Sequence, residues 1–493
     1  MDNETSDPPM STSKARWIFL ALNSLAVMAN RVVYDQVSIF VARLTYSADA
    51  CTHPDRPDYS CLDFNFVEFN GLYVGCLWAG AVGALSVGMI APRLGILNMT
   101  GISAVLLVIG NLLFTIGPYA TTTRIALGAM LCGRVLFGYA FFASMSLAQQ
   151  MHCHWFHSPR NLAIATAVYF GASQLGSVIN FATVGFILEK VYLQNTLWIT
   201  FAVGVLGTIA LVAASLIAKN YPVLSKAEVS YLISSTSRYG IFSQLLHLPT
   251  HFWLTCVIVS FFNSALFTLT ADFPEFLLKN RDRPESMAAL ITGSIPDFAW
   301  TACLFLPFLF YLNKPLTISS AAIGLFFITL VLTAAIPKYF FPGLTTSLTG
   351  FCYAINSVSV SHAISRLVRP ENTDLAISLI QASSGLGGGI FLLGMGFLLD
   401  LQSRSTTAIW TVFFAVLAVS VGAAWVCSWG SLYMEEEHNE DALRELRRKE
   451  SALQIHGQAH GEEEHGPVHM TARSMSVLSG GAREKFGPLL YEL

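Results

Sequence analysis

Arg31, Tyr34 and Asp35 are the first residues of the chain whose chemistry conflicts with their surroundings. They stand in the run 17–44, WIFLALNSLAVMANRVVYDQVSIFVARL, which is longer than the roughly 20 apolar residues needed to cross a bilayer. A charged side chain near the middle of such a helix costs roughly 2.5 to 3.5 kcal/mol on insertion scales, so it normally faces a protein interior or a water-filled cavity. Arg31 and Asp35 are four residues apart and therefore share one helical face, where they can neutralise each other. Two roles fit this pair: part of a polar pathway, or a tie between helices at the membrane edge.

Other ionisable groups fall in apolar runs too. Arg134 lies about ten residues into the run 125–150, roughly 15 Å along a helix and close to the bilayer midplane. It is expected to pair with an anionic substrate group or to act in gating; the competing role is a tether to Asp35 or to a backbone carbonyl. Glu68 opens the second run near the edge, where exposure to solvent competes with a proton-coupling role. Asp272, Glu275 and Asp297 are the acidic candidates of the second half of the chain, Asp297 directly following Pro296. Gln149, Gln174, Asn180, Asn356, His362 and Gln381 are candidates to line a cavity, or to form interhelical hydrogen bonds worth about 0.6 kcal/mol each.

These side chains need helices to hold them in the membrane, and the composition demands the same. Of 493 residues, 54% are hydrophobic and 12% charged, roughly half the charged share of a soluble domain. The fold class is all-α, a polytopic membrane protein. Twelve runs qualify: 17–44, 66–91, 95–117, 125–150, 161–188, 196–218, 251–278, 286–312, 315–337, 341–364, 374–400 and 407–432. The division that follows is a tail at 1–16, a six-helix bundle at 17–218, and a linker at 219–250 with a short helix started by the capping box Ser225 to Glu228. A second six-helix bundle at 251–432 and a tail at 433–493, helical at first and then disordered, complete it. Lysines and arginines in the short loops and just past the last run place both ends in the cytosol.

Several function classes are excluded. A net charge of −3 with dispersed basic residues gives no nucleic-acid surface. The cluster His152, Cys153, His154 and His157 meets no zinc spacing. With no nucleotide-binding loop and no nucleophile elbow, the chain is expected to be no enzyme and to hold no cofactor or metal. Of nine cysteines, Cys51 and Cys61 alone share a short loop on the non-cytosolic side, compatible with a disulfide. The triplets at Asn3 and Asn98 fall on the cytosolic side, so no glycan is expected.

The two halves echo each other. Pro159-Arg160-Asn161-Leu162-Ala163-Ile164 is matched six runs later by the stretch from Pro370 to Ile377, and a glycine follows each leucine by fourteen positions, Gly176 and Gly389. An even offset makes the halves parallel repeats, the arrangement of major facilitator transporters. Gly88-Met89-Ile90-Ala91-Pro92-Arg93-Leu94-Gly95 resembles that superfamily's loop signature, with Pro92 where an acidic residue is usual. Gly133-Arg134-Val135-Leu136-Phe137-Gly138 is similar to its G-R-x-x-x-G.

More narrowly, the chain resembles the lysosomal dipeptide transporter branch. The resemblance rests on Tyr34-Asp35, Cys51, Cys61-Leu62-Asp63, Phe69-Asn70-Gly71-Leu72-Tyr73, Trp155-Phe156, and Gly176-Ser177 with Asn180. It implies a secondary active or facilitative transporter for dipeptides or amino acids in the endolysosomal membrane, working by alternating access beside a glycosylated accessory subunit. Phe142 and Gln174 stand where that branch carries an acidic residue and an arginine, which implies altered recognition of the solute. Sugar or monocarboxylate transport coupled to protons, and a non-transporting receptor or scaffold, are the alternatives.

Overall fold

A computed structural model describes residues 10–46, 61–156, 159–191, 193–220, 245, 248–309, 315–336, 341–368, 372–401 and 408–433. The linker helix, the tail helix and Cys51 lie outside the described residues. Among the described residues there is no strand. The first-half long helices are α1 Met10–Ile39, α2 Phe66–Leu94, α3 Ile96–Ile116, α4 Thr123–Trp155, α5 Pro159–Ile179 and α6 Leu193–Asn220. Those of the second half are α7 Thr250–Arg281, α8 Glu285–Leu309, α9 Pro315–Ala335, α10 Pro342–Leu367, α11 Thr373–Asp400 and α12 Ala408–Tyr433. Contacts divide the chain at Ser431, and the described part of the second unit is Leu432 and Tyr433; the first unit is described here.

Eleven of these helices are long and apolar enough to cross a membrane. The exception is α10, which at 26 residues is longer than the 21-residue α9 and so is not excluded by length. Thr345, Thr346, Thr349 and Ser359 are fully buried along it, so its hydroxyls lower the apolarity while facing protein. Thr349 bonds its own helix at the Thr345 carbonyl (2.7 Å), which is how a hydroxyl survives in a dry interior. The first helix begins earlier than the apolar run, at Met10, and ends at Ile39, with Val41–Thr45 continuing as a separate turn.

Local sequence sets the boundaries. Asn65 accepts the Glu68 N–H at 2.7 Å while the Glu68 carboxylate accepts the Asn65 N–H at 2.9 Å, a reciprocal cap that starts α2. Gly95 separates α2 from α3 with φ +81°, a left-handed conformation glycine adopts without steric cost. α5 is continued by a π turn, Asn180–Val184, and by Gly185–Lys190.

Packing repeats with the sequence. α2 lies along α11 and α5 along α8, so each half lends two helices to the seam. Within the halves, α1 packs on α5 as α7 packs on α11, and α2 with α4 is matched by α8 with α10. α3 packs on α6, and its counterpart pair meets where Ser320 of α9 bonds Ser428 of α12 at 2.7 Å. The glycine-rich run of α11 serves close approach: a Cβ at Gly385 would lie 2.6 Å from the Leu77 carbonyl oxygen of α2.

Candidate functional site

A cavity lies in the middle of the seam, lined from both halves, and its space, opening included, is about 410 Å³. α1 contributes Arg31, Tyr34 and Asp35; α2 contributes Tyr73; Gln174 and Ser177 come from α5, with Phe181 from the π turn. From the other side come Leu266, Phe267, Thr270 and Ala271 of α7, Ile295 and Pro296 of α8, and Tyr353 of α10.

The charged pair is a closed unit. Arg31 Nε lies 3.0 Å from Asp35 Oδ2 and donates to Ser177 Oγ at 3.1 Å. Ser177 in turn donates to the same Asp35 oxygen. The Arg31 guanidinium also rests 4.6 Å from the centre of the Tyr34 ring. With Arg31 8% and Asp35 2% exposed, neither charge is solvated by bulk water, so each stabilises the other. The two Nη groups of Arg31 make no hydrogen bond among the described residues, which leaves them for a ligand.

Arg134 does not belong to this cavity. Its Nη1 donates to the Val33 carbonyl at 3.1 Å and its Nη2 to the Tyr34 carbonyl at 2.9 Å. The guanidinium is enclosed by aromatic rings, with Tyr34, Tyr73, Phe114 and Phe137 all within 5.5 to 5.6 Å. It is a tether from α4 to α1, set directly behind the charged pair, rather than the anion partner expected from its depth. Rise along a helix gives depth but not facing, and Arg134 faces its own bundle.

Glu68 is likewise engaged in the cap of α2 and does not line the cavity. Asn180, with its amide oriented to donate to the Val32 carbonyl and accept from the Gln36 N–H (both 3.3 Å), ties α5 to α1. Asn356 accepts from Ser319 at 2.7 Å inside the second half. His362 is buried in α10 away from the cavity, and Asp297, half-buried on α8, does not line it either.

The remaining candidates lie where the halves close over the cavity. On the face where α1 begins, Gln149 donates to Ser361 at 3.0 Å and accepts from Gln381 at 3.3 Å. Beside them Gln150 donates to Ser378 at 3.2 Å, and His154 lies 3.2 Å from the Asp374 carboxylate. On the opposite face Asn70 of α2 donates to Asp272 Oδ2 at 3.4 Å and to the Leu392 carbonyl at 3.1 Å. Asp272 is fully buried, and its Oδ1 makes no hydrogen bond among the described residues. Glu275, one turn further on, pairs with Lys279 at 2.7 Å. Arg43 meets Glu285 at 3.1 Å, and Asp400 caps the start of α2. Next to these, burial and then the carboxylates of Glu275 and Glu285 push the Tyr46 phenol above its ordinary range.

Sequence reasoning missed Tyr73, Ser177 and Tyr353 as cavity residues. Ser177 sits beside Gly176 in the repeated glycine position, and that was the available signal. Cys61 is disulfide-bonded, whereas Cys76, Cys132, Cys153, Cys256, Cys303, Cys352 and Cys427 are free. Among the described residues no group of three or more His, Cys, Asp or Glu could hold a metal.

No protein-family model matches the sequence, and no curated protein does. Solved structures do. The proton:xylose symporter XylE bound to 6-bromo-6-deoxy-D-glucose superposes with a TM-score of 0.64 at 12% identity, over 85% of this chain and 96% of that one. The human organic anion transporter MFSD10 gives 0.57 at 14% identity, over 84% and 100%. A proton-dependent oligopeptide transporter gives 0.57 at 14%, over 85% and 99%. At such identities the likeness is one of architecture, and the chain has the major facilitator fold, two six-helix halves around a central cavity.

Proposed function

We propose that the protein is a secondary transporter that moves a small polar organic solute, a dipeptide or an amino acid, by alternating access. The observation that carries this reading is the Arg31, Asp35 and Ser177 unit in a cavity shared by both halves, with bonds between the halves on the side of each face. Rocking one half against the other breaks one set of bonds while keeping the other, which is what alternating access requires. We take 17–218 and 251–432 as the rocking units. Tyr34, Asp35, Tyr73 and Ser177 line the cavity and are among the residues that resemble the lysosomal dipeptide branch, which supports a substrate with peptide-like ends. The fold is shared with a proton-dependent oligopeptide transporter, in keeping with the same class.

In this reading the solute's carboxylate binds the Nη groups of Arg31 and its ammonium binds Asp35. Asp272, buried on the seam, takes up a driving proton when its face opens. The endolysosomal membrane, cytosolic termini and a glycosylated accessory subunit belong to the same proposal. The test is uptake of dipeptides and amino acids into proteoliposomes, with and without a pH gradient, by the native protein and Arg31→Ala. Uptake by the native protein that Arg31→Ala abolishes is the expected result. Equal uptake by both would remove the pair from the mechanism, and uptake of sugars or monocarboxylates alone would favour that alternative. A scaffold acting through residues 435–454 is distinguished by truncating the tail, which transport should survive.

A further inference from the structure

The two walls of the central cavity differ in chemistry. Arg31 and Asp35, the cation and the anion that line it, both belong to the first half. The second half contributes Leu266, Phe267, Ala271 and Ile295, with Tyr353 as its one phenol. Thr270 adds little polarity there, since its hydroxyl already donates to the Leu266 carbonyl at 2.9 Å. Candidate polar residues of the second half are engaged elsewhere: Asn356 with Ser319, and Gln381 with Gln149.

The charged wall constrains the solute's head. A carboxylate bound by the Nη groups of Arg31 leaves Asp35 on Nε and Ser177, and it shares the guanidinium's single positive charge between two buried anions. A solute that also carries an ammonium supplies a second cation beside Asp35 and balances the charge. The other wall constrains the body. A charged side chain packed there finds no partner and loses its water, whereas an apolar one gains by burial.

We propose that the cavity selects zwitterions with an aromatic or branched apolar side chain, head on Arg31 and Asp35, body against Phe267 and Ile295. This rests on the transport reading above and names its substrate class. Burying even one methylene group changes discrimination by about tenfold or more. The preference over a glycine-type solute is therefore at least of that order.

The test uses the full-length purified protein and the dipeptides phenylalanyl-alanine, leucyl-alanine, glycyl-glycine, aspartyl-alanine and lysyl-alanine. Thermal stabilisation is read over a concentration series, alongside competition for proteoliposome uptake of labelled leucyl-alanine. The expected result is half-maximal effect of the phenylalanyl and leucyl peptides at concentrations about tenfold or more below the others. In Phe267→Ala and Ile295→Ala that gap narrows. Equal potency across the panel, or better binding of the charged peptides, overturns the selection and leaves the transport reading standing. No response to any zwitterion by the native protein overturns that reading and the selection with it. Should either variant fail to fold, the native ranking decides alone.

Discussion

The Asp400 carboxylate, on the last residue of α11, accepts the backbone N–H of Phe66 at 2.7 Å and so caps the first turn of α2 across the seam. Its other oxygen takes the Val67 N–H at 3.3 Å. Negative charge at a helix N-terminus is stabilising, and loss of a capping side chain costs about 1 kcal/mol. Asp400→Ala should lower the melting temperature by a few degrees and make buried Asn70, tested as Asn70→Cys, react faster with a thiol reagent. An unchanged labelling rate would mean the cap does not hold this face shut.

Arg43 and Glu285 make the neighbouring bond between the halves, with side chains only 10% and 22% exposed. Arg43→Glu and Glu285→Arg should each slow exchange, and the double swap should restore most of it. A coupling of about 0.5 to 1 kcal/mol in a double-mutant cycle is expected for so partly buried a pair. Strict additivity would show that the two do not act together.

Arg134 should be a stability residue. Its two bonds to α1 carbonyls are charge-assisted, each worth about 1.5 to 3 kcal/mol, so Arg134→Met should cost roughly 3 to 6 kcal/mol in chemical denaturation. Its substrate affinity, measured at low temperature on the folded fraction, should be close to native. A large loss of affinity with native stability would return Arg134 to the binding site.

Asp272→Asn should uncouple transport from pH. In the native protein a gradient acid outside should speed uptake over symmetric pH. In the variant the two rates should coincide, with counterflow exchange preserved. If the variant keeps its gradient response, the driving proton binds elsewhere.

Twelve helices, parallel halves and an ionisable pair in α1 were legible because hydropathy and spacing are local, and the cost of charge in lipid is severe enough to mark its site. A four-residue spacing sufficed to put Arg31 and Asp35 on one face. Gly95 was readable as the end of a signature, and its positive φ supplies the reason.

Facing was not legible. Arg134 and Gln149 look alike as polar residues deep in α4, yet one turns inward on α1 and the other outward to α10 and α11. Glu68 reads as a lone acid until Asn65 and the first turn of α2 are seen around it. Sequence alone determined that polar groups must be gathered between helices. Which groups meet was decided by the tertiary structure, because a hydrogen bond between α2 and α11 joins residues some three hundred positions apart and depends on how the halves pack.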